Sequence, residues 1–182
     1  MIWKLAIILL IIYLVTRHKK PAEEEVEEKI TEILLYVPYK KAGGKDWCLP
    51  ASGEMVLRYY GRDITQAEIA GRIMVEGTSS IFKMVFYARE LGFLSNFDFL
   101  EAEEIEEYLR QCVPLIAVQK YSMSITKSHC RVIIGFDSVK SEFTMHDPSG
   151  KSNYKISYKE FFDLGFDMSD RSKVIMIRED KL

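Results

Sequence analysis

A cysteine, a histidine and a carboxylate stand here in surroundings that suit acyl chemistry. Cys48 lies where the loop 40–47 passes into a helix-prone stretch, Leu49–Tyr60. A thiol at a helix start meets unpaired N–H groups and the positive end of the helix dipole. Both favour the thiolate, which is the nucleophile. The plainer reading of Cys48 is a small buried hydrophobe.

A base must come from three histidines. His18 sits in a basic N-terminal flank, which leaves His129 and His146. His129 immediately precedes CRVIIGFD, a strand whose Val132, Ile133 and Ile134 point to burial. A histidine at the entrance of such a strand is held rigidly, its ring free to face a cleft. His146 ends the next β-rich run, just before Asp147-Pro148. Residues 138–141 are short enough for a hairpin, and antiparallel pairing then brings 129–131 beside 146–148. Asp147 is thereby placed to fix the tautomer of an imidazole and to stabilise its charged form. Taken singly, His129 reads as a surface residue at a strand end, and His146-Asp147-Pro148-Ser149-Gly150 as a turn.

Metal chemistry finds no support in the spacing. His129 and Cys130 are adjacent on a strand and point to opposite faces, so they do not readily share an ion. No pair of ligands has chelating spacing, and neither a metal nor a cofactor is expected. Three cysteines make no disulfide framework. Cys112, before Val113-Pro114, reads as core. So do Phe82, Phe86 and Tyr87, which recur at helical spacing.

The elements that must position these residues follow from local signals. Ile33–Tyr39 is a short extended piece, confined to an edge by Pro38. The helix from Leu49 carries Pro50 in its first turn, where a missing N–H does no harm, and stops at Gly61. A second helix over Thr65–Val75 opens with a capping box, Thr65 and Glu68. A third starts at Ser79 or Ser80 and ends near Leu91-Gly92. A fourth covers Glu103–Cys112. The pattern then changes to β-rich runs at Pro114–Gln119, Arg131–Asp137, Glu142–His146, Lys155–Ser157 and Val174–Arg178, with a short helix over Tyr158–Leu164. Helices first and strands afterwards predict an α+β fold, its helical half packed on a mostly antiparallel sheet.

The chain has 182 residues, 48% hydrophobic and 29% charged, as a globular domain with an appendage would. The appendage is N-terminal. Residues 5–15, LAIILLIIYLV, are uninterrupted apolar, with Lys4 before them and Arg17-His18-Lys19-Lys20 after. Residues 2–16 fall a little short of the roughly 20 that span a bilayer, yet no small-residue cleavage site follows. An uncleaved transmembrane or signal-anchor helix is the expectation, and a cleaved signal the alternative. The organisation expected is a membrane segment over 1–20, an acidic linker helix over 21–32 and one domain over 33–182. Beyond residue 20 the chain holds 21 basic and 27 acidic residues, a net charge of −6. A mildly acidic body without Lys/Arg clusters argues against nucleic-acid binding. An apolar run ahead of the domain leans towards an extracytoplasmic location. The sequence sets no oligomeric state.

Three segments carry a resemblance: YVPYKKAGGKDWCLPASGEMVLRYYGRDITQAEIA, VPLIAVQ and SHCRVIIGFDSVKSEFTMHDPSG. In order they hold Cys48, Tyr59-Tyr60-Gly61, Ile64-Thr65, Pro114, His129, Gly135-Phe136-Asp137 and Asp147-Pro148. Over roughly 35–165 the chain resembles the papain-like cysteine peptidases that process bacteriocin leaders, including those fused to ABC exporters, and their peptidase-like relatives. The resemblance implies a papain-like peptidase fold and a catalytic triad of Cys48, His129 and Asp147. It further implies that the Cys48 N–H donates to the oxyanion. Two positions depart from the family pattern. Ala42 stands where a glutamine usually supplies a second oxyanion donor, a role for which Trp47, Lys41, Lys45, Gly43 and Gly44 are the nearby substitutes. Leu49 replaces a small residue.

The function implied is hydrolysis of peptides or proteins near a membrane, a double-glycine leader being one possible substrate. Two others stay open: a peptidase-like module that binds a peptide or partner protein without cutting it, and acyl transfer through the same triad.

Overall fold

The computed structural model describes residues 29–166 and 170–180. In chain order the elements are β1 (Glu32–Leu34), α1 (Cys48–Tyr59), α2 (Gln66–Ile73), β2 (Met74–Val75), β3 (Thr78–Ser79), α3 (Ile81–Glu90), β4 (Phe93–Leu100), α4 (Ala102–Arg110), β5 (Leu115–Ser122), β6 (Ile125–Asp137), β7 (Glu142–Asp147), β8 (Lys151–Ser157), α5 (Tyr158–Asp163) and β9 (Ser172–Glu179). The result is a mixed α/β fold: five helices among the described residues and a seven-stranded sheet. The sheet order is β4-β9-β5-β6-β7-β8, with β1 added along β6. Every one of its pairs is antiparallel.

The helical half forms where local chemistry directs it. Leu49 through Leu57 of α1 are all buried, and the helix packs on β6. It ends at Gly61, whose φ of 76° is the left-handed conformation that favours glycine. Thr65 and Glu68 make the expected capping box on α2, and the Ser80 hydroxyl accepts the Lys83 N–H to start α3.

The expected membrane segment lies outside the described residues, among which no helix is long and apolar enough to cross a membrane. Four expectations change. Residues 29–31 are not helical and Glu32 begins β1, so any linker helix stops short of its expected end. The strand carrying His129 starts at Ile125, placing His129 inside it. An unforeseen strand, β4, closes one sheet edge against β9. Phe82 and Phe86 are 65% and 57% exposed rather than core, because Met84, Val85 and Ala88 form the buried face of α3.

Gly135 explains part of the Gly-Phe-Asp signature. It sits where β1 crosses β6, next to an irregularity in the β6–β7 ladder. A Cβ there would collide with the Ile33 carbonyl oxygen and stand 3.1 Å from Leu34 Cα. Both atoms belong to the β1 backbone, which leaves little room to yield. Gly135→Ala is expected to lower stability by about 1–3 kcal/mol. Gly71→Ala, on α2 with open space around its Cβ position, is expected to raise it by roughly 0.5–1 kcal/mol. Urea midpoints of the two variants check both signs.

Candidate active site

The segment between β1 and α1 runs as a strap along β6 and β7. The Leu35 N–H donates to Ile134 O at 2.7 Å, the Tyr39 hydroxyl to Asp147 O at 3.1 Å, and the Ala42 N–H to Pro148 O at 2.9 Å. Gln66, the first residue of α2, then holds the loop. Its Oε1 accepts the Gly43 N–H at 2.8 Å and its Nε2 donates to Lys41 O at 3.0 Å. Gln66 is itself tied to α1, because its N–H donates to the buried Glu54 at 3.1 Å. Gly44 lies against the Trp47 ring, so close that a Cβ would stand 2.5 Å from it.

The strap delivers Cys48 as the first residue of α1. Trp47 precedes it as N-cap and makes no capping side-chain bond. The Cys48 N–H therefore opens α1 with no side chain capping it, and Pro50 has none to lose.

Hairpin register brings the other two residues in. Val132 pairs with His146, so Asp147 comes abreast of the residues just before Val132. His129 Nε2 is 2.7 Å from Asp147 Oδ1, which also accepts the Ser149 N–H at 2.8 Å. Arg131 Nε donates to the other oxygen, Oδ2, at 2.9 Å. His129, Arg131 and Asp147 are all buried. The Cys48 thiol lies beside the Cys130 thiol and the His129 ring, and both favour its ionised form.

The electrostatics follow from these contacts. A hydrogen bond from the Cys130 thiol, followed by the His129 bond and charge, outweighs burial and lowers Cys48 to about 4. The bond to Cys48 and complete burial push the Cys130 thiol well up. Burial alone would lower His129, but its bonds to Asp147 and Cys48 prevail and raise it. Burial would raise Asp147, yet bonds from His129 and Ser149 hold it well below the usual carboxylate range. These shifts favour the thiolate form of Cys48, the imidazolium form of His129 and the ionised form of Asp147.

These residues open onto a cleft of about 320 Å³ with mostly apolar walls, including Ala42, Trp47, Tyr121 and Ile125. A Lys127–Asp46 ion pair stands at its rim. Three larger hollows, about 390, 530 and 560 Å³, contain no cysteine or histidine, and the two largest of these border α4.

Cys48, His129 and Asp147 thus lie together, while His146 goes elsewhere. Its Nδ1 accepts the Asn153 N–H at 3.1 Å, which leaves Nε2 to donate to Val37 O at 2.9 Å. Burial lowers its pKa, and it serves as a neutral strut between the strap and β8. Cys130 is not turned away from the site, because α1 begins over β6 and the core-facing Cys130 thiol reaches Cys48. Cys112 is exposed rather than core. It follows α4 with a left-handed φ of 59°, its carbonyl accepting the Tyr59 hydroxyl at 3.0 Å. Of the oxyanion substitutes, the Gly43 N–H is committed to Gln66. Arg131 escaped notice, although a position two along from His129 shares its strand face. Among the described residues no cluster of His, Cys, Asp and Glu could hold a metal.

Comparison with known proteins gives a consistent picture. A model of the Peptidase C39-like family matches residues 33–170. No curated protein matches the chain. A putative C39-like peptidase from Bacillus anthracis superposes with a TM-score of 0.64 at 15% identity, over 82% of this chain and 99% of that one. A double-glycine-motif protease from an AMS/PCAT transporter, solved in complex with the leader peptide, gives 0.63 at 21%, over 83% and 99%. The peptidase domain of Streptococcus ComA, a bifunctional ABC transporter of a quorum-sensing pathway, gives 0.60 at 18%, over 79% and 100%. At these identities the structural likeness shows the fold.

Proposed function

Because the chain belongs to the Peptidase C39-like family, we propose that it is a cysteine peptidase with Cys48 as nucleophile, His129 as acid and base, and Asp147 as the group that orients His129. The observation that carries this reading is the bridging place of His129, with Asp147 at 2.7 Å on one side and the Cys48 thiol on the other. With Nε2 engaged by Asp147, Nδ1 is the ring nitrogen left for Cys48.

The chemistry then runs in two halves. The Cys48 thiolate attacks the peptide carbonyl carbon, and the oxyanion formed accepts the Cys48 N–H at the start of α1. The imidazolium gives its Nδ1 proton to the leaving amine, the C–N bond breaks, and an acyl-thioester remains on Cys48. Neutral His129 next takes a proton from water, whose oxygen attacks the thioester. The carboxylic product leaves, and the thiolate–imidazolium pair is restored.

The substrate class in this reading is a peptide or protein, the apolar walls of Trp47, Tyr121 and Ile125 gripping side chains or a bare backbone next to the scissile bond. The leader peptide bound by the similar transporter protease supports that class. Residues 2–16 would hold the domain at a membrane, where such substrates meet it. A second reading, peptide binding without hydrolysis, is favoured by Ala42, which places no amide donor on the cleft wall.

The two readings separate on covalent chemistry. The full chain, in detergent, is incubated with a mixed peptide library and quenched in acid. Mass spectrometry is expected to find an acyl adduct on Cys48, none on Cys112, and products with new amino and carboxyl termini. Products joined to an added amine instead of water would reassign the activity to acyl transfer. Retained but uncut peptides, with unmodified Cys48, would sink the peptidase reading and leave the binding one.

A further inference from the structure

Arg131 is a buried cation, 5% exposed, and four acceptors surround its guanidinium. Nε donates to Asp147 Oδ2 at 2.9 Å. Nη1 donates to Lys120 O at 3.1 Å and Gln119 Oε1 at 3.4 Å, and Nη2 donates to Tyr121 O at 2.6 Å. Gln119 is fully buried and is fixed in turn, its Nε2 donating to Phe161 O at 2.7 Å. Three of these acceptors are neutral, and Asp147 alone pairs the charge. A planar guanidinium held this way has one orientation, and a lysine in its place would not reproduce the fork.

The division of labour on Asp147 is unequal. Oδ1 accepts from both His129 and the Ser149 N–H, whereas Oδ2 accepts from Arg131. Without Arg131 that oxygen would be buried and unmet, a costly state that a rotation of the carboxylate would relieve at the expense of the His129 bond. We propose that Arg131 is a positioning residue for the reaction, pinning Asp147 so that its other oxygen faces His129 Nε2. This rests on the peptidase reading of the site.

The guanidinium also has an electrostatic part. It opposes a second positive charge on His129, while Asp147 favours one. The groups facing His129 are the Cys48 thiol from α1, Asp147 from β7, the Tyr121 ring from β5 at 4.9 Å, and Arg131 on its own strand, with the Lys127–Asp46 pair at the rim. With Arg131 present the imidazolium is a stronger acid, better able to release its proton to a leaving amine. The Lys120 and Tyr121 carbonyls that hold Arg131 belong to the strand end that walls the cleft, so one side chain ties cleft wall, base and carboxylate together.

The test needs no substrate. Nitrogen-15 NMR of the His129 ring reports its tautomer and its titration in the full chain, with near-UV circular dichroism confirming the fold. In Arg131→Met, the neutral ring is expected to lose its single tautomer and His129 to titrate lower than in the parent, because the lost Asp147 bond and charge outweigh the removed guanidinium. In Arg131→Gln, which drops the charge but keeps a donor, an upward shift is expected with the tautomer retained. If Arg131→Met does not fold, the shift in Arg131→Gln decides. Folded variants whose His129 titrates and tautomerises as in the parent would overturn the proposal. Peptide hydrolysis is followed in parallel on the parent chain. Its absence there alongside a shifted His129 would remove the peptidase reading and leave Arg131 positioning the Asp–His pair. Unchanged turnover in Arg131→Met would remove the positioning role alone.

Discussion

Asp147→Asn is expected to reduce peptide turnover by about 10⁴-fold in a chain that still folds. The asparagine carbonyl oxygen takes the place of Oδ2 and accepts from Arg131, which would otherwise be a buried, unanswered cation. That choice turns the NH₂ towards His129. An NH₂ can only donate, so Nε2 must accept and the neutral ring must carry its proton on Nδ1, facing Cys48. A base that already holds a proton there cannot activate the attacking water. The check is kcat for both proteins across pH, where the deficit should shrink only if hydroxide replaces the base. Asp147→Ala is a different experiment. It strands Arg131 and is expected to lower stability by about 3–5 kcal/mol. The pH dependence has a definite sign. Asp147 is held below its ordinary value in the folded chain, so its stabilisation is complete above about pH 3.9, the unfolded value, and is lost as pH falls below it. The parent should therefore lose stability more steeply than Asp147→Asn in acid, as read by thermal melts between pH 5 and pH 2.

His129→Ala is expected to move the midpoint of Cys48 alkylation upward by about 1–3 units from its low starting value near 4. The variant removes the imidazolium but keeps the Cys130 thiol, so the midpoint should stop short of a free thiol's. The rate at one pH is a poor readout. A more basic thiolate is scarcer but intrinsically more reactive, and the two effects largely offset. The profile must be measured from pH 3 to pH 9 with iodoacetamide, resolving Cys48 from exposed Cys112 by mass spectrometry. A midpoint that stays near 4 would show that His129 does not sustain the thiolate.

How far residues reveal themselves depended on how local their partners are. The capping box of Thr65 and Glu68 and the cap at Ser80 need only three residues, and both stood where their types indicated. The β6–β7 hairpin needed only a short turn, and it brought Asp147 to His129. Phe82 and Phe86 show the opposite case. Helical spacing told that they share a face, but which face is buried depended on Met84, Val85 and Ala88 meeting the rest of the core. Strand β4 went unseen because Ser95 interrupts its Phe93, Phe97 and Phe99 face and Leu94 and Leu100 are apolar on the other, as an edge strand with one neighbour tolerates. Arg131 was the hardest. A charge inside CRVIIGFD is acceptable only because carbonyls from the end of β5 and a carboxylate from β7 converge on it, and no local pattern announces that convergence.

The strap between β1 and Cys48 has a mechanical consequence. Whatever is attached ahead of residue 29 joins the sheet at the Asp137 end of β6, some eight residues from His129, roughly 25 Å of strand. Tension arriving from that side must first break the Arg110 bond to Ile30 O, the two Ser138 bonds to Thr31 O, the β1–β6 ladder and the Leu35 N–H bond to Ile134 O. Only then does the load reach the loop that sets Cys48. Cys48 is in this way insulated from pulling on the chain's N-terminal side, and a domain tethered there would be tugged without the Cys48, His129 and Asp147 geometry being stretched.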